Sequence, residues 1–185
     1  MQLTKEDVIR ELLFSIIGED VQREGLKDTP KRVVKAWEEM TCGYKQDPEK
    51  VLGTDFEKDG YDQMIHVPTI EFVSVCEHHM MPFWGHVWVA YLPSTRVVGL
   101  SKIPRMVEVF ARRLQIQERL TQQISDTIQR VLNPQGVGVR IKAVHSCMKF
   151  RGVQKQDAAM ITTSLTGAFL NEHKVREEFL MECRS

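Results

Sequence analysis

The run Cys76-Glu77-His78-His79 is the densest cluster of metal-ligating and proton-exchanging side chains in the 185-residue sequence. Cys76 and His79 are three residues apart, so a thiolate and an imidazole can converge on one ion if the backbone turns between them. Taken alone this C-x-x-H is weak, because a buried cysteine followed by a surface histidine leaves the same trace. A second cluster, His145-Ser146-Cys147, strengthens it. Read within a strand over residues 137–150, alternation puts His145 and Cys147 on one face. Two thiolates with one or two imidazoles, and no second C-x-x-C pair, suit zinc better than magnesium or calcium.

The ligand count then sets the chemistry. Closed structural zinc sites use four protein ligands, whereas catalytic sites keep a position for water. If Cys76, His79 and Cys147 bind, His78 and His145 stay beside the ion as free imidazoles that exchange protons near neutral pH. That is hydrolytic equipment. The alternative is a closed site in which His78 or His145 takes the fourth position, and spacing alone leaves both open. Cys42 and Cys183 lie on helical patterns without such neighbours and read as incidental.

Charge placement indicates the kind of ligand. The whole protein has 25 basic and 25 acidic residues, a formal charge of zero, so no global field attracts nucleic acid or a membrane surface. Locally, residues 96–113 hold Arg96, Lys102, Arg105, Arg112 and Arg113 against Glu108 alone, and residues 140–155 hold Arg140, Lys142, Lys149, Arg151 and Lys155 with no acid. Such neighbourhoods suit phosphate oxygens, although two solvated faces would look the same. RNA binding is disfavoured because aromatic residues are not interleaved with the charges.

These residues need a scaffold. Thr4 and Asp7 form an N-cap signal for a first helix bearing Val8, Ile9, Leu12, Leu13, Ile16 and Ile17 at helical spacing. A second helix is expected from Thr29, with Pro30 in its first turn and Gly43 at its end. Residues 45–62, with six acidic and three basic residues, read as a solvated connection. Strands are expected over residues 64–76, 86–92, 137–150 and 158–169, and helices over 101–114, 117–132 and 171–183. Strands grouped around a helical pair predict an α+β fold with an antiparallel sheet. The division expected is an N-terminal helical segment and connection, residues 1–63, followed by one catalytic domain, residues 64–185.

Composition excludes other classes. With 42% hydrophobic and 27% charged residues, the protein is globular rather than disordered or fibrous. Glu6, Asp7 and Glu11 near the start oppose a secretory leader, and no apolar run approaches the roughly 20 residues of a membrane helix. Four widely spaced cysteines do not make a disulfide framework. A cytoplasmic location is expected.

Several segments together resemble the GTP cyclohydrolase I family: Asp28-Thr29-Pro30-Lys31-Arg32-Val33, Cys76-Glu77-His78-His79-Met80-Met81-Pro82-Phe83, Gly99-Leu100-Ser101-Lys102-Ile103, Gln117-Glu118-Arg119-Leu120-Thr121, His145-Ser146-Cys147-Met148 and Arg151-Gly152-Val153. They occur in the family's order and span nearly the whole sequence. The resemblance implies the tunnelling fold, in which sheets of several subunits close into a β-barrel, with decamers of two pentamers and active sites at subunit boundaries. It implies one zinc per subunit held by Cys76, His79 and Cys147, with His78 and His145 as catalytic proton-transfer groups. Glu118, with Gln117 beside it, falls where the family recognises guanine, and a carboxylate can accept from both N1–H and the exocyclic amine. Contacts to the rest of GTP fall on Arg32, Lys35, Leu100, Ser101, Lys102, Arg105 and Arg151.

The implied reaction is hydrolytic opening of the guanine imidazole ring, release of formate, an Amadori rearrangement and reclosure to 7,8-dihydroneopterin triphosphate, the first step of tetrahydrofolate or pterin biosynthesis. Lys142 departs from the acidic residue of many relatives, and Pro104 stands at a helix start where relatives are less rigid. No long N-terminal extension, and hence no regulation through one, is expected. Sister enzymes such as nitrile reductases or pyruvoyl-tetrahydropterin synthases use a nucleophilic cysteine without zinc or a three-histidine site, which the Cys-His-Cys set disfavours. A zinc-stabilised assembly module without turnover is the reading outside enzymes.

Overall fold

The computed structural model describes residues 3–53 and 55–183. The protein divides into two compact units, Met1–Cys42 and Gly43–Ser185.

The first unit is helical. Helix α1, Lys5–Glu11, begins at a reciprocal capping box: Asp7 N–H donates to the Thr4 hydroxyl, and the Asp7 carboxylate accepts from Thr4 N–H at 3.0 Å. Two otherwise orphaned donors are thereby satisfied, as the sequence anticipates. A π-helical turn, Leu12–Ile17, continues it and stops at Gly18, whose φ of 80° reverses the backbone. Helix α2, Thr29–Met40, has Pro30 in its first turn, where a missing N–H costs nothing. It ends at Thr41, before Gly43, and a 3₁₀ turn, Cys42–Lys45, follows. Val8, Leu12, Phe14, Ile16 and Ile17 all stay exposed in this unit.

The second unit begins at Gly43. Within residues 45–62, expected to be a solvated connection, lie helix α3, Pro48–Leu52, and strand β1, Asp55–Glu57. Asp47 caps α3 by accepting from Glu49 and Lys50 N–H, and Leu52 is fully buried. Acidic composition conceals an Asp-Pro helix start here.

The main sheet has five strands in the order β5-β2-β3-β6-β7, namely Leu114–Gln115, Ile65–Cys76, Met81–Leu92, Gly136–His145 and Met160–Leu165. All neighbours are antiparallel except the short parallel β5–β2 pair. Strand β4, Arg96–Val98, pairs with β1 in a separate two-stranded sheet. Helices α4, Lys102–Ala111, and α5, Gln117–Leu132, cover one face. Their Ile103, Met106, Phe110, Leu120, Ile124 and Ile128 pack against Phe72, Phe83, Val87, Val139 and Ile141. Each such fully buried side chain contributes about 1.5–3 kcal/mol, so packing rather than local propensity holds these helices. Pro104 is the third residue of α4, in the first turn, where its absent N–H has no intrahelical partner to lose.

The helix expected over 171–183 is α8, His173–Glu182, whereas the strand expected over 158–169 ends at Leu165 and gives way to a short helix, α7, Gly167–Asn171. Phe169, Phe179 and Cys183 pack there with Trp88 and Ala90. The fold is therefore mixed, a largely antiparallel sheet with helices laid on it, as the strand grouping predicts. Among the described residues, no helix is long and apolar enough to cross a membrane.

A candidate metal and active site

Strand β2 delivers Cys76 as its last residue. A tight turn follows, closed by Met80 N–H donating to Cys76 C=O at 2.8 Å. Met80 takes a φ of 52°, a left-handed conformation that is uncommon outside glycine and asparagine and that the surrounding turn holds in place. The turn lets the backbone re-enter as β3 while Glu77, His78 and His79 stand at its edge. It is clamped from outside. Arg119, in the first turn of α5, donates to both carboxylate oxygens of Glu77, at 2.5 and 3.1 Å, and Glu77 N–H donates to Gln115 C=O at 3.0 Å. The guanidinium beside Glu77 holds its carboxyl below the ordinary carboxylate range.

Cys147 arrives differently from expectation. Strand β6 ends at His145, and Ser146–Lys149 is a single helical turn, α6. The same-face alternation read for His145 and Cys147 therefore does not apply. Ser146 explains the break: it is buried and its hydroxyl donates to Pro82 C=O at 2.5 Å, pinning the strand end to β3. The turn rolls Cys147 towards Cys76 all the same. Ligand atoms of Cys76, His79 and Cys147 all lie within 4.8 Å of one another.

Burial pushes the Cys147 thiol up, and the neighbouring Cys76 thiol pushes it the same way. Two sulfurs in a partly dry corner resist becoming two anions. A cation between them reverses that cost, which is what a divalent-metal site provides. The donor set, two thiols and one imidazole, fits a soft or borderline ion such as zinc.

The remaining histidines flank this group. His78 Nδ1 lies 4.0 Å from Cys76 Sγ. His145 stacks on Phe83, ring centroids 4.5 Å apart and planes within 4° of parallel. Burial lowers its pKa, while the Glu118 carboxylate pulls the other way. Glu118 is exposed in the first turn of α5, within electrostatic reach of His145.

Gln117 is turned inward. Its side chain is 1% exposed; its amide nitrogen donates among Ile141 C=O, Met160 C=O and Thr162 Oγ1, and its oxygen faces His145 Nε2 at 3.0 Å. Sequence reasoning gave no sign of this bond or of the Glu77–Arg119 clamp.

The basic residues are dispersed. Arg151 Nη1 reaches His79 Nε2 at 3.1 Å. Leu100 and Ser101 line an open depression of about 1050 Å³ with His66, Thr69, Glu71 and Pro104, and none of the Cys-His-Cys residues lines it. Lys102 and Arg105 line a neighbouring hollow with Gln46 and Glu108. Arg32 and Lys35 belong to α2 in the first unit, exposed and paired with Asp28 at 3.5 Å and Glu39 at 3.8 Å.

Comparison with known proteins shows the family. A family model for GTP cyclohydrolase I matches residues 5–184. GTP cyclohydrolase 1 of Wolinella succinogenes is 51% identical over 183 residues, spanning 99% of this protein and 97% of that one. The proteins of the same name from Chlorobaculum tepidum and Parabacteroides distasonis are 55% and 54% identical, each over 91% of this protein and over 75% and 86% of their own lengths. With Cys76 and His79 on a clamped turn, Cys147 brought to them by α6, and a match running almost end to end, the protein belongs to the GTP cyclohydrolase I family of enzymes.

Proposed function

We propose that the protein hydrolyses GTP to formate and 7,8-dihydroneopterin triphosphate in a zinc-dependent reaction, the first step of tetrahydrofolate or pterin biosynthesis, in the cytoplasm. The observation that carries this reading is the convergence of Cys76, His79 and Cys147 within 4.8 Å, with His78 and His145 left beside them. Three protein ligands suit a catalytic rather than a closed zinc site. Zinc bound there supplies Lewis acidity, lowering the pKa of a water towards roughly 7.

The protein's own residues do the rest. His78 and His145 take the proton from the attacking water and return one to a guanine ring nitrogen as a C8–N bond breaks. A second hydrolysis releases C8 as formate. Water is consumed at ring opening and at deformylation and returned at reclosure, so the balance is GTP plus water to formate plus the pterin triphosphate. Glu118 accepts from guanine N1–H and the exocyclic amine, an arrangement whose loss would leave donors unpaired. Arg32, Lys35, Ser101, Lys102, Arg105 and Arg151 receive the triphosphate, and Leu100 contacts the substrate beside them.

The substrate-side residues Leu100 and Ser101 line a depression apart from the Cys-His-Cys group. This favours an active site at a subunit boundary, within a decamer whose tunnelling-fold bodies, residues 64–185 with α3 and β1 joined to them, close a β-barrel. The exposed Val8, Phe14, Ile16 and Ile17 favour burial against another copy.

Incubation with GTP, with and without a chelator, followed by fluorescence of the oxidised pterin, tests the proposal. Pterin formation that stops on chelation and returns with zinc is expected. Full activity of zinc-depleted protein would reject it.

A further inference from the structure

Buried hydroxyls and amides have a fixed number of protons, and around Gln117 the count closes in only one way. Thr121 Oγ1 donates to the backbone carbonyl of Gln117 at 2.7 Å, which uses the single Thr121 hydroxyl proton. Thr121 Oγ1 also lies 2.6 Å from Thr162 Oγ1, so Thr162 must be the donor in that pair. With its own proton spent, Thr162 can only accept from the Gln117 amide nitrogen at 3.1 Å. Ile141 C=O and Met160 C=O, at 3.2 and 3.1 Å from the same nitrogen, have no proton to give. A flipped amide would therefore set its oxygen against two carbonyls and a committed hydroxyl, in a site 1% exposed, and unpaired buried groups are costly.

The amide oxygen of Gln117 must face His145 Nε2, 3.0 Å away. An oxygen only accepts, so Nε2 carries a proton. We infer that Gln117, oriented by Thr162 and Thr121, is a positioning residue that holds His145 as its Nε2–H tautomer, so that His145 exchanges protons with substrate through Nδ1. The neutral ring then offers its lone pair at Nδ1 alone. Phe83, stacked at 4.5 Å on the ring face, restrains the remaining rotation. Gln117 acts behind the catalytic group rather than on guanine, which leaves Glu118 to read the base.

The inference rests on His145 being a proton-transfer group, and the tests separate the two ideas. Neutron diffraction from deuterated, zinc-loaded wild-type crystals reads the tautomer without any variant. Deuterium is expected on His145 Nε2, directed at Gln117; a bare Nε2 with deuterium on Nδ1 overturns the inference. In kinetics, Gln117→Met preserves volume and removes the hydrogen bonds. Its kcat should fall about 100-fold, within the usual range for general acid–base loss, while the Kd for GTP stays within about threefold, the mark of an interaction made in the transition state. Thr162→Ser, which retains the hydroxyl, should keep near wild-type kcat. Weakened GTP binding with unchanged kcat in Gln117→Met would instead put the amide on the substrate and overturn the inference. If His145→Ala retains full turnover, the proton-transfer role fails whichever nitrogen carries the deuterium.

Discussion

Arg151 Nη1 stands 3.1 Å from His79 Nε2. A guanidinium only donates, so Nε2 offers its lone pair in this contact. Ligation of a metal through Nε2 takes that lone pair, and ligation of the neutral ring through Nδ1 leaves Nε2 protonated. By either route the contact dissolves when the metal enters, and Arg151 is freed for an anion. Arg151→Ala should therefore bind zinc more tightly, by about two- to fivefold, the scale of an exposed charged contact of roughly 0.5–1 kcal/mol. Competition with a chromophoric chelator measures this, and unchanged or weaker zinc affinity would count against it.

The Glu77–Arg119 clamp carries a pH dependence. Glu77 is held below its ordinary value by Arg119, so the folded state binds the proton less readily than the unfolded state. Its contribution is fully present above the unfolded value of about 4.3 and is lost as pH falls through the lowered folded value. Glu77→Gln should lower the Tm relative to wild type at pH 7, and the difference should shrink below about pH 4. A difference independent of pH across that window would show that the charge is not what holds the turn.

His66 has the opposite defect. Its Nε2 is buried without a hydrogen-bond partner among the described residues, and burial pushes its pKa down, partly offset by Glu182. The unfolded state therefore takes up the proton first, and stability is lost as pH falls below about 6.5. His66→Phe removes the orphaned nitrogen and should stabilise by on the order of 1 kcal/mol, with a larger Tm gain at pH 5.5 than at pH 7.5. A gain that is the same at both values would exclude titration of His66 as its source.

Cys76 and Cys147 should separate chemically from Cys183. Cys76 and Cys147 sulfurs lie within 4.8 Å, whereas Cys183 is buried with its pKa pushed up to about 11, so little thiolate forms there. Metal-free protein treated with oxidised glutathione should join Cys76 to Cys147, the two thiols losing their protons and electrons to the glutathione disulfide. Peptide mapping and thiol counting should find that bond, with the Cys183 thiol intact until the fold is opened by denaturant. Free thiols at both Cys76 and Cys147 after such treatment would contradict the convergence.

Helices α4 and α5 and strands β2, β3 and β6 are readable from the sequence because each presents an apolar face to a shared core. Helix α5 runs over the residues its 3.6-residue period marks, from Gln117 to Leu132. Where reading stopped short, the cause was non-local. Alternation over residues 137–150 carries no mark of the strand end at His145, because Ser146 is pinned by Pro82 C=O from another strand. Helix α3 hid behind acidic composition, although Asp47-Pro48 was a local signal for it. Cys76, His79 and Cys147 stood out by residue type, yet their convergence depends on the left-handed Met80 turn and on α6. The inward set of Gln117 depends on Ile141, Met160 and Thr162, 24 to 45 residues away, and no neighbouring residue announces it.

Zinc-edge X-ray absorption of the loaded protein bears most directly on the proposed three-ligand metal centre. Two sulfurs at about 2.3 Å, one imidazole nitrogen and one further light atom that is not imidazole are expected, both at about 2.0–2.1 Å. Two imidazoles with two sulfurs would close the site, and a single sulfur would break the Cys76–Cys147 pair; either spectrum contradicts the hydrolytic centre described above.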